Sequence, residues 1–305
     1  MQIKSFSFLN FPLIALSLIV LIQCASSGKI SLDLESKDFY ETTRLIMTKQ
    51  ERDVFSHLPD KESREEFIRE FWAKRDPNPE TEENEFKEEF FRRIEYANMH
   101  FKEGPPGWKT DRGRIYVYLG PPDKTDETLL HGDPSVKGAI LWWIYYRYEL
   151  GIKFVDKNGY GHFTYDPYYG VYGDLFDAIE RAKLGFIGQQ EGMPKKYINF
   201  DVVYDKSRKE IIVSLPVIDL TFKEEEGLLK AEFDFELYIY EEKGAEKKKI
   251  IETRSFQMAE KELLKQKEII FSFPIELKHG KHYVDVVVIG RPDMWKTRKI
   301  IEIKV

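Results

Sequence analysis

From Tyr197 onward the sequence reads as one β-strand after another, and this narrows the folds open to the chain more than any other feature. Ala231-Glu232-Phe233-Asp234-Phe235-Glu236-Leu237 alternates apolar with polar residues, so every second side chain points to the same face. Similar runs occupy 197–204, 210–220, 228–241, 247–257, 268–276, 282–290 and 297–305, separated by turns such as Asp205-Lys206-Ser207 and Glu242-Lys243-Gly244. Seven short strands at that spacing predict an immunoglobulin-like β-sandwich over 197–305. The Cys–Trp–Cys signature of true immunoglobulin domains is missing, so the likeness is one of architecture.

The preceding half follows a different period. Thr42–Met47 reads as a short strand. Thr48 with Glu51 three residues on predicts a capping box, opening a helix that Pro59 ends. Asp60 caps a second helix carrying Phe67, Ile68, Phe71 and Trp72, and Asp76-Pro77-Asn78-Pro79 stops it. Thr81 is placed as the cap of a third, with Phe86, Phe90, Ile94, Ala97 and Phe101 at intervals of three and four. Gly104-Pro105-Pro106-Gly107 breaks this helix. Beyond it Arg114–Leu119, Ile140–Tyr148, Ile152–Asp156 and Tyr160–Tyr165 predict antiparallel strands, the last two joined across Asn158-Gly159. The expectation is therefore an α+β fold. Residues 39–190 form N-terminal helices packed on a small antiparallel sheet, Gly188–Pro194 is a linker, and the sandwich follows.

The N-terminus points to export. Phe11–Ile22 is apolar apart from Pro12 and Ser17, and Lys4 is the only charge before it. That run falls short of the roughly 20 residues needed to span a bilayer and suits the core of a secretory signal. It ends in Leu21-Ile22-Gln23-Cys24, which resembles a bacterial lipoprotein signal. The resemblance implies removal of residues 1–23, lipid on Cys24 and a polar tether over 24–38.

Composition excludes several classes. A net charge of −6 argues against a general nucleic-acid binder. One cysteine in 305 residues excludes a disulfide framework, an iron–sulfur cluster and a cysteine-rich zinc site. The chain contains no Gly-x-Ser-x-Gly, His-Glu-x-x-His, Gly-x-Gly-x-x-Gly or phosphate-binding loop. His279 and His282 lie three apart without a nearby acidic third ligand, which reads as a hairpin turn. No metal or cofactor is expected.

One constellation is distinctive: Phe71-Trp72, Arg75-Asp76-Pro77, Asn84-Glu85, Ala97-Asn98, Gly107-Trp108-Lys109-Thr110-Asp111-Arg112-Gly113 and Gly120-Pro121-Pro122-Asp123. In this order the motifs resemble the bacterial GWxTD domain family over residues 40–190. The resemblance implies an exported or lipid-anchored bacterial protein with a helical start and a C-terminal β region, and it brings no reaction with it. Physically, Gly107 and Gly113 supply backbone freedom, Trp108 anchors the loop, Thr110 and Asp111 bond backbone amides, and Arg112 is in reach of Asp76 or Glu85. Two readings stand. The loop is a polar staple between helices and sheet, or Trp108, Thr110, Asp111, Arg112, Asp76 and Asn84 line a binding pocket. The aromatic run from Tyr160 to Tyr172 is a second candidate surface, more simply a sheet cover.

The function expected from all this is a non-enzymatic lipoprotein of the cell envelope. It is held to a membrane through Cys24, faces the periplasm or exterior, and binds or scaffolds a protein or polymer partner. The alternative is an envelope enzyme acting on glycan or peptide with Asp76, Asp111 and Arg112.

Overall fold

The computed structural model describes residues 32–79, 81–129, 138–167, 171–185, 197–242, 247–291 and 293–305. The expected signal, Cys24, the first part of the tether and the linker Gly188–Pro194 lie outside them.

Four helices come first: α1 (Leu34–Thr43), α2 (Lys49–His57), α3 (Lys61–Ala73) and α4 (Glu85–His100). Thr48 and Glu51 make the expected capping box, and Asp60 caps α3 through the amide of Ser63. Thr42–Met47 is not a strand. Asp33 caps a helix there through the Ser36 amide, and Thr43 closes it by donating to the Phe39 carbonyl. Nor does Thr81 cap α4: its hydroxyl bonds Asn78 and Glu85, and Asn84 accepts from the Lys87 amide instead. The apolar stripes meet in an aromatic core in which Phe55, Phe71, Phe86 and Phe90 are fully buried.

After a 3-10 turn at Gly107–Lys109 comes α5 (Asp111–Leu119), where sequence patterning had suggested a strand. Ile115–Leu119 is buried at every position, so the run carries no amphipathic period to separate helix from strand. The deciding residue is Thr110, which caps α5 by accepting from the Gly113 amide at 3.0 Å. An antiparallel sheet follows in the order β1 (Lys124–Leu129), β2 (Ala139–Tyr145), β3 (Leu150–Asp156), β4 (Thr164–Tyr165), with β5 (Val171–Tyr172) also on β3. The helix α6 (Leu175–Lys183) packs against α5.

The C-terminal part forms two further antiparallel sheets, which makes the protein a mixed α+β fold. One contains β6 (Asp201–Asp205), β7 (Glu210–Pro216) and β11 (Glu268–Pro274), in the order β11-β7-β6. The other contains β8 (Lys223–Glu225), β9 (Leu228–Glu241), β10 (Lys247–Met258), β12 (Lys281–Arg291) and β13 (Trp295–Lys304), in the order β10-β9-β12-β13 with β8 on β9. A short helix, α7 (Glu260–Leu263), joins β10 to β11. The seven expected strand runs are present, and β8 adds an eighth among the described residues.

In this larger sheet the central strand β12 and the C-terminal end of β9 are buried on both faces. Phe233, Phe235, Leu237 and Ile239 of β9, with Val284, Val286 and Val288 of β12, share a core with the three-stranded sheet. The intervening Tyr238, Tyr240, Tyr283, Val287 and Ile289 join the aromatic core of the helices. The strand period of two thus sends one strand's side chains into two cores.

Candidate functional site

The Gly-Trp-Lys-Thr-Asp run is a tight connection between α4 and α5. A Cβ on Gly107 would sit 1.9 Å from the Ala97 carbonyl oxygen, and one on Gly113 would sit 1.9 Å from the Gly107 carbonyl oxygen. These glycines are required for close backbone approach, which corrects the expectation that they supply unusual backbone angles. Thr110 is consumed twice, donating to the Gly107 carbonyl at 2.7 Å and capping α5. Asp111 accepts from the Tyr165 amide at 3.0 Å and so ties α5 to β4. Trp108 is half-buried against the aromatic core, and its amide donates to Asn98 at 3.4 Å.

The remaining expected site residues separate into two places. Arg112 pairs with neither Asp76 nor Glu85. Its Nε and Nη2 lie 2.6 and 2.5 Å from Oε1 of Glu103, and its guanidinium sits 4.4 Å from the Phe163 ring and 5.0 Å from Phe101. Across from it, His162 Nε2 is 3.9 Å from Glu103 Oε2. Asp76 and Asn84 instead hold the α3–α4 loop. Asp76 accepts from the Asn78 amide at 3.0 Å, and Asn84 Nδ2 donates to the Trp72 carbonyl at 2.9 Å. Burial pushes the Asp76 carboxyl above its ordinary range, against the Asn78 bond and the ammonium of Lys296. Asp76, Asp111 and Arg112 therefore have separate partners, not one shared centre. Among the described residues no group of three or more His, Cys, Asp or Glu is placed to hold a metal ion.

Residues 33–160, which carry this interlocked loop, match the family model of the GWxTD domain. The chain carries a GWxTD domain. No curated protein matches it. Among solved structures, the chicken interferon gamma receptor alpha chain is similar at 11% identity, over 56% of this chain and 69% of that one, with a TM-score of 0.20. A likeness that slight bears on neither fold nor function.

What sequence reasoning missed is the lattice of charges between the GWxTD domain and the five-stranded sheet. Glu51, at the start of α2, accepts from Arg75 at 2.7 and 2.9 Å and from Arg298 of β13 at 2.7 Å. Arg298 also grips Asp285 of β12 at 2.7 and 2.6 Å. Lys74 donates to Asp285 at 2.9 Å and to the Tyr240 hydroxyl at 3.2 Å, and the Tyr240 hydroxyl in turn donates to Glu70 at 3.1 Å. All five charged side chains, Glu51, Lys74, Arg75, Asp285 and Arg298, are at most 2% exposed. Burial opposes ionisation of Glu51, but the guanidinium groups of Arg75 and Arg298 outweigh it and hold the carboxyl well below its usual range. Arg298 and Lys74 do the same for Asp285. The signal was present in Tyr283-Val284-Asp285-Val286-Val287-Val288, where one acid interrupts an apolar run. Beside the lattice, Lys296 donates to the carbonyls of Ala73 at 3.0 Å and Asp76 at 2.6 Å, at the end of α3. Burial pulls its ammonium down to about 8, against the pull of Glu236 and Asp76.

Proposed function

We propose that this protein is a non-enzymatic binding or scaffold module of the bacterial cell envelope. It is anchored in a membrane by lipid on Cys24, faces the periplasm or exterior, and presents its GWxTD domain and an immunoglobulin-like β-sandwich to a protein or polymer partner. The division into a tether over 24–38, a GWxTD domain over 39–190 and a sandwich over 197–305 belongs to the same reading. The observation that carries it is the use made of the motif. Thr110, Asp111 and Arg112 are spent on a cap, a strand amide and a Glu103 ion pair. Side chains bound in this way position backbone and do not offer a carboxylate pair to a substrate. Nucleic acid is not a partner in this reading, given the net charge of −6.

The test is an assay of the purified chain on peptidoglycan fragments and peptide substrates, beside Asp111→Asn. No turnover is expected from either protein. Turnover by the natural chain that disappears in Asp111→Asn while its melting temperature stays put would overturn the reading in favour of the enzyme.

A further inference from the structure

β10 forms an outer edge of the five-stranded sheet, and among the described residues no strand lies beyond it. It is 12 residues long. A long edge presents a row of backbone N–H and C=O groups able to pair with another chain. The strand's side chains divide by parity. Ile250, Glu252, Arg254 and Phe256 share the face on which Ile250 and Phe256 pack against the inter-sheet core and Arg254 lies 5.6 Å from the Phe273 ring. Glu252 and Arg254 are ion-paired along the strand, at 40% and 43% exposure. On the other face Ile251 is 61% exposed, close to the strand's middle.

We propose that β10 is a homodimerisation edge. Two copies of the chain pair their β10 strands antiparallel about a two-fold axis at Thr253, joining their sheets into one. The register follows from symmetry and charge. A two-fold axis through the sheet keeps like faces together, so a residue meets only residues of its own parity. An axis at Glu252 sets two carboxylates against each other, and an axis at Arg254 sets two guanidinium groups against each other. Like charges directly opposite are destabilising, and unlike ones support pairing. With the axis at Thr253, Glu252 faces Arg254 of the second copy and Arg254 faces its Glu252. Ile250 then meets Phe256, Ile251 meets Ser255, Lys249 meets Gln257 and Lys248 meets Met258. Lys248 and Lys249 face Met258 and Gln257 here, so no two lysines are set against each other.

The experiment uses the full chain carrying Cys24→Ser, sized by light scattering after gel filtration. A dimer is expected. Arg254→Glu or Glu252→Arg alone places like charges across the axis and weakens the dimer about tenfold or more, and the two together restore it. Thr253→Cys, then the only thiol in the chain, forms an intermolecular disulfide under mild oxidation. A monomeric natural sequence without that disulfide overturns the proposal. So does a dimer indifferent to both single reversals in proteins whose circular dichroism melts are unchanged.

Discussion

Arg298 of β13 lies 2.7 Å from Oε1 of Glu51 in α2, a bond between residues 247 apart in the chain. Glu51 is also the residue that completes the α2 capping box, accepting from the Thr48 amide at 2.8 Å. One carboxylate therefore starts a helix, anchors Arg75 and holds the last strand of the sheet.

Breaking this contact is expected to be costly. Arg298→Ala leaves Glu51 and Asp285 buried with fewer counter-charges and should lower the unfolding free energy by about 3–5 kcal/mol. Denaturant titration monitored by circular dichroism measures it. A loss under about 1 kcal/mol would mean that the lattice contributes little.

The same geometry bears on a fragment of residues 197–305. Cut away from the helices, it sets Asp285 and Arg298 in water together with Tyr238, Tyr240 and Tyr283, all of which the GWxTD domain covers. It is expected to fold with a lower midpoint in urea than the whole chain. Equal midpoints would show that the two parts are energetically independent.

Two pH windows follow from the lattice. Glu51 and Asp285 have folded values below their unfolded ones. The stability they contribute is full above the unfolded carboxylate range, near 4, and is lost as pH falls from there through the depressed folded values. Lys296 behaves in the opposite manner. Its folded value of about 8 lies below the unfolded value of 10.5, so the folded state binds fewer protons between them, and stability rises with pH across that window. Melting temperatures between pH 8 and 10 should rise for the natural chain relative to Lys296→Met. Parallel curves would contradict the assignment.

Within the motif, the ranking of substitutions is the test. Gly107→Ala drives a methyl group into the Ala97 carbonyl and should cost about 3 kcal/mol or more. Thr110→Ala removes a cap and should cost about 1 kcal/mol. Asp111→Ala leaves the Tyr165 amide unpaired at about 1–3 kcal/mol, and Asp111→Asn, which keeps an acceptor, should cost less. If Gly107→Ala is the mildest of the four, the close-packing account fails.

Cys24 offers an independent check on the anchor. Mass spectrometry of protein from a bacterial host should show a lipid increment on the natural chain, absent from Cys24→Ser, which should move to the soluble envelope fraction. Equal masses apart from the substitution itself would remove the anchor.

Local rules carried much of the fold. The Thr48–Glu51 box, the Asp60 cap and the alternation in Ala231–Leu237 each act within a few residues, so they are readable in the text of the chain. Arg114–Leu119 was not readable as a helix, because burial of every residue from Ile115 to Leu119 erased the period that distinguishes helix from strand. The partners of Arg112 were hidden for a different reason. Glu103 is nine residues away, but it points at Arg112 only once the Gly-Pro-Pro-Gly turn has folded. Asp285 announced a buried charge without naming its partners: Lys74 is 211 residues away, and Arg298, 13 residues on, faces it only once β12 and β13 are paired.

β12 has consequences for the order in which the molecule assembles. Its side chains are divided between two cores, so neither core is closed until this strand is in place. During synthesis the helices emerge first, and more than 200 further residues are made before Arg298 can reach Glu51, at a separation of 247. The helical face that carries Glu51 and Lys74 therefore becomes an interior only with the arrival of β12 and β13, which bring Asp285 and Arg298 to it.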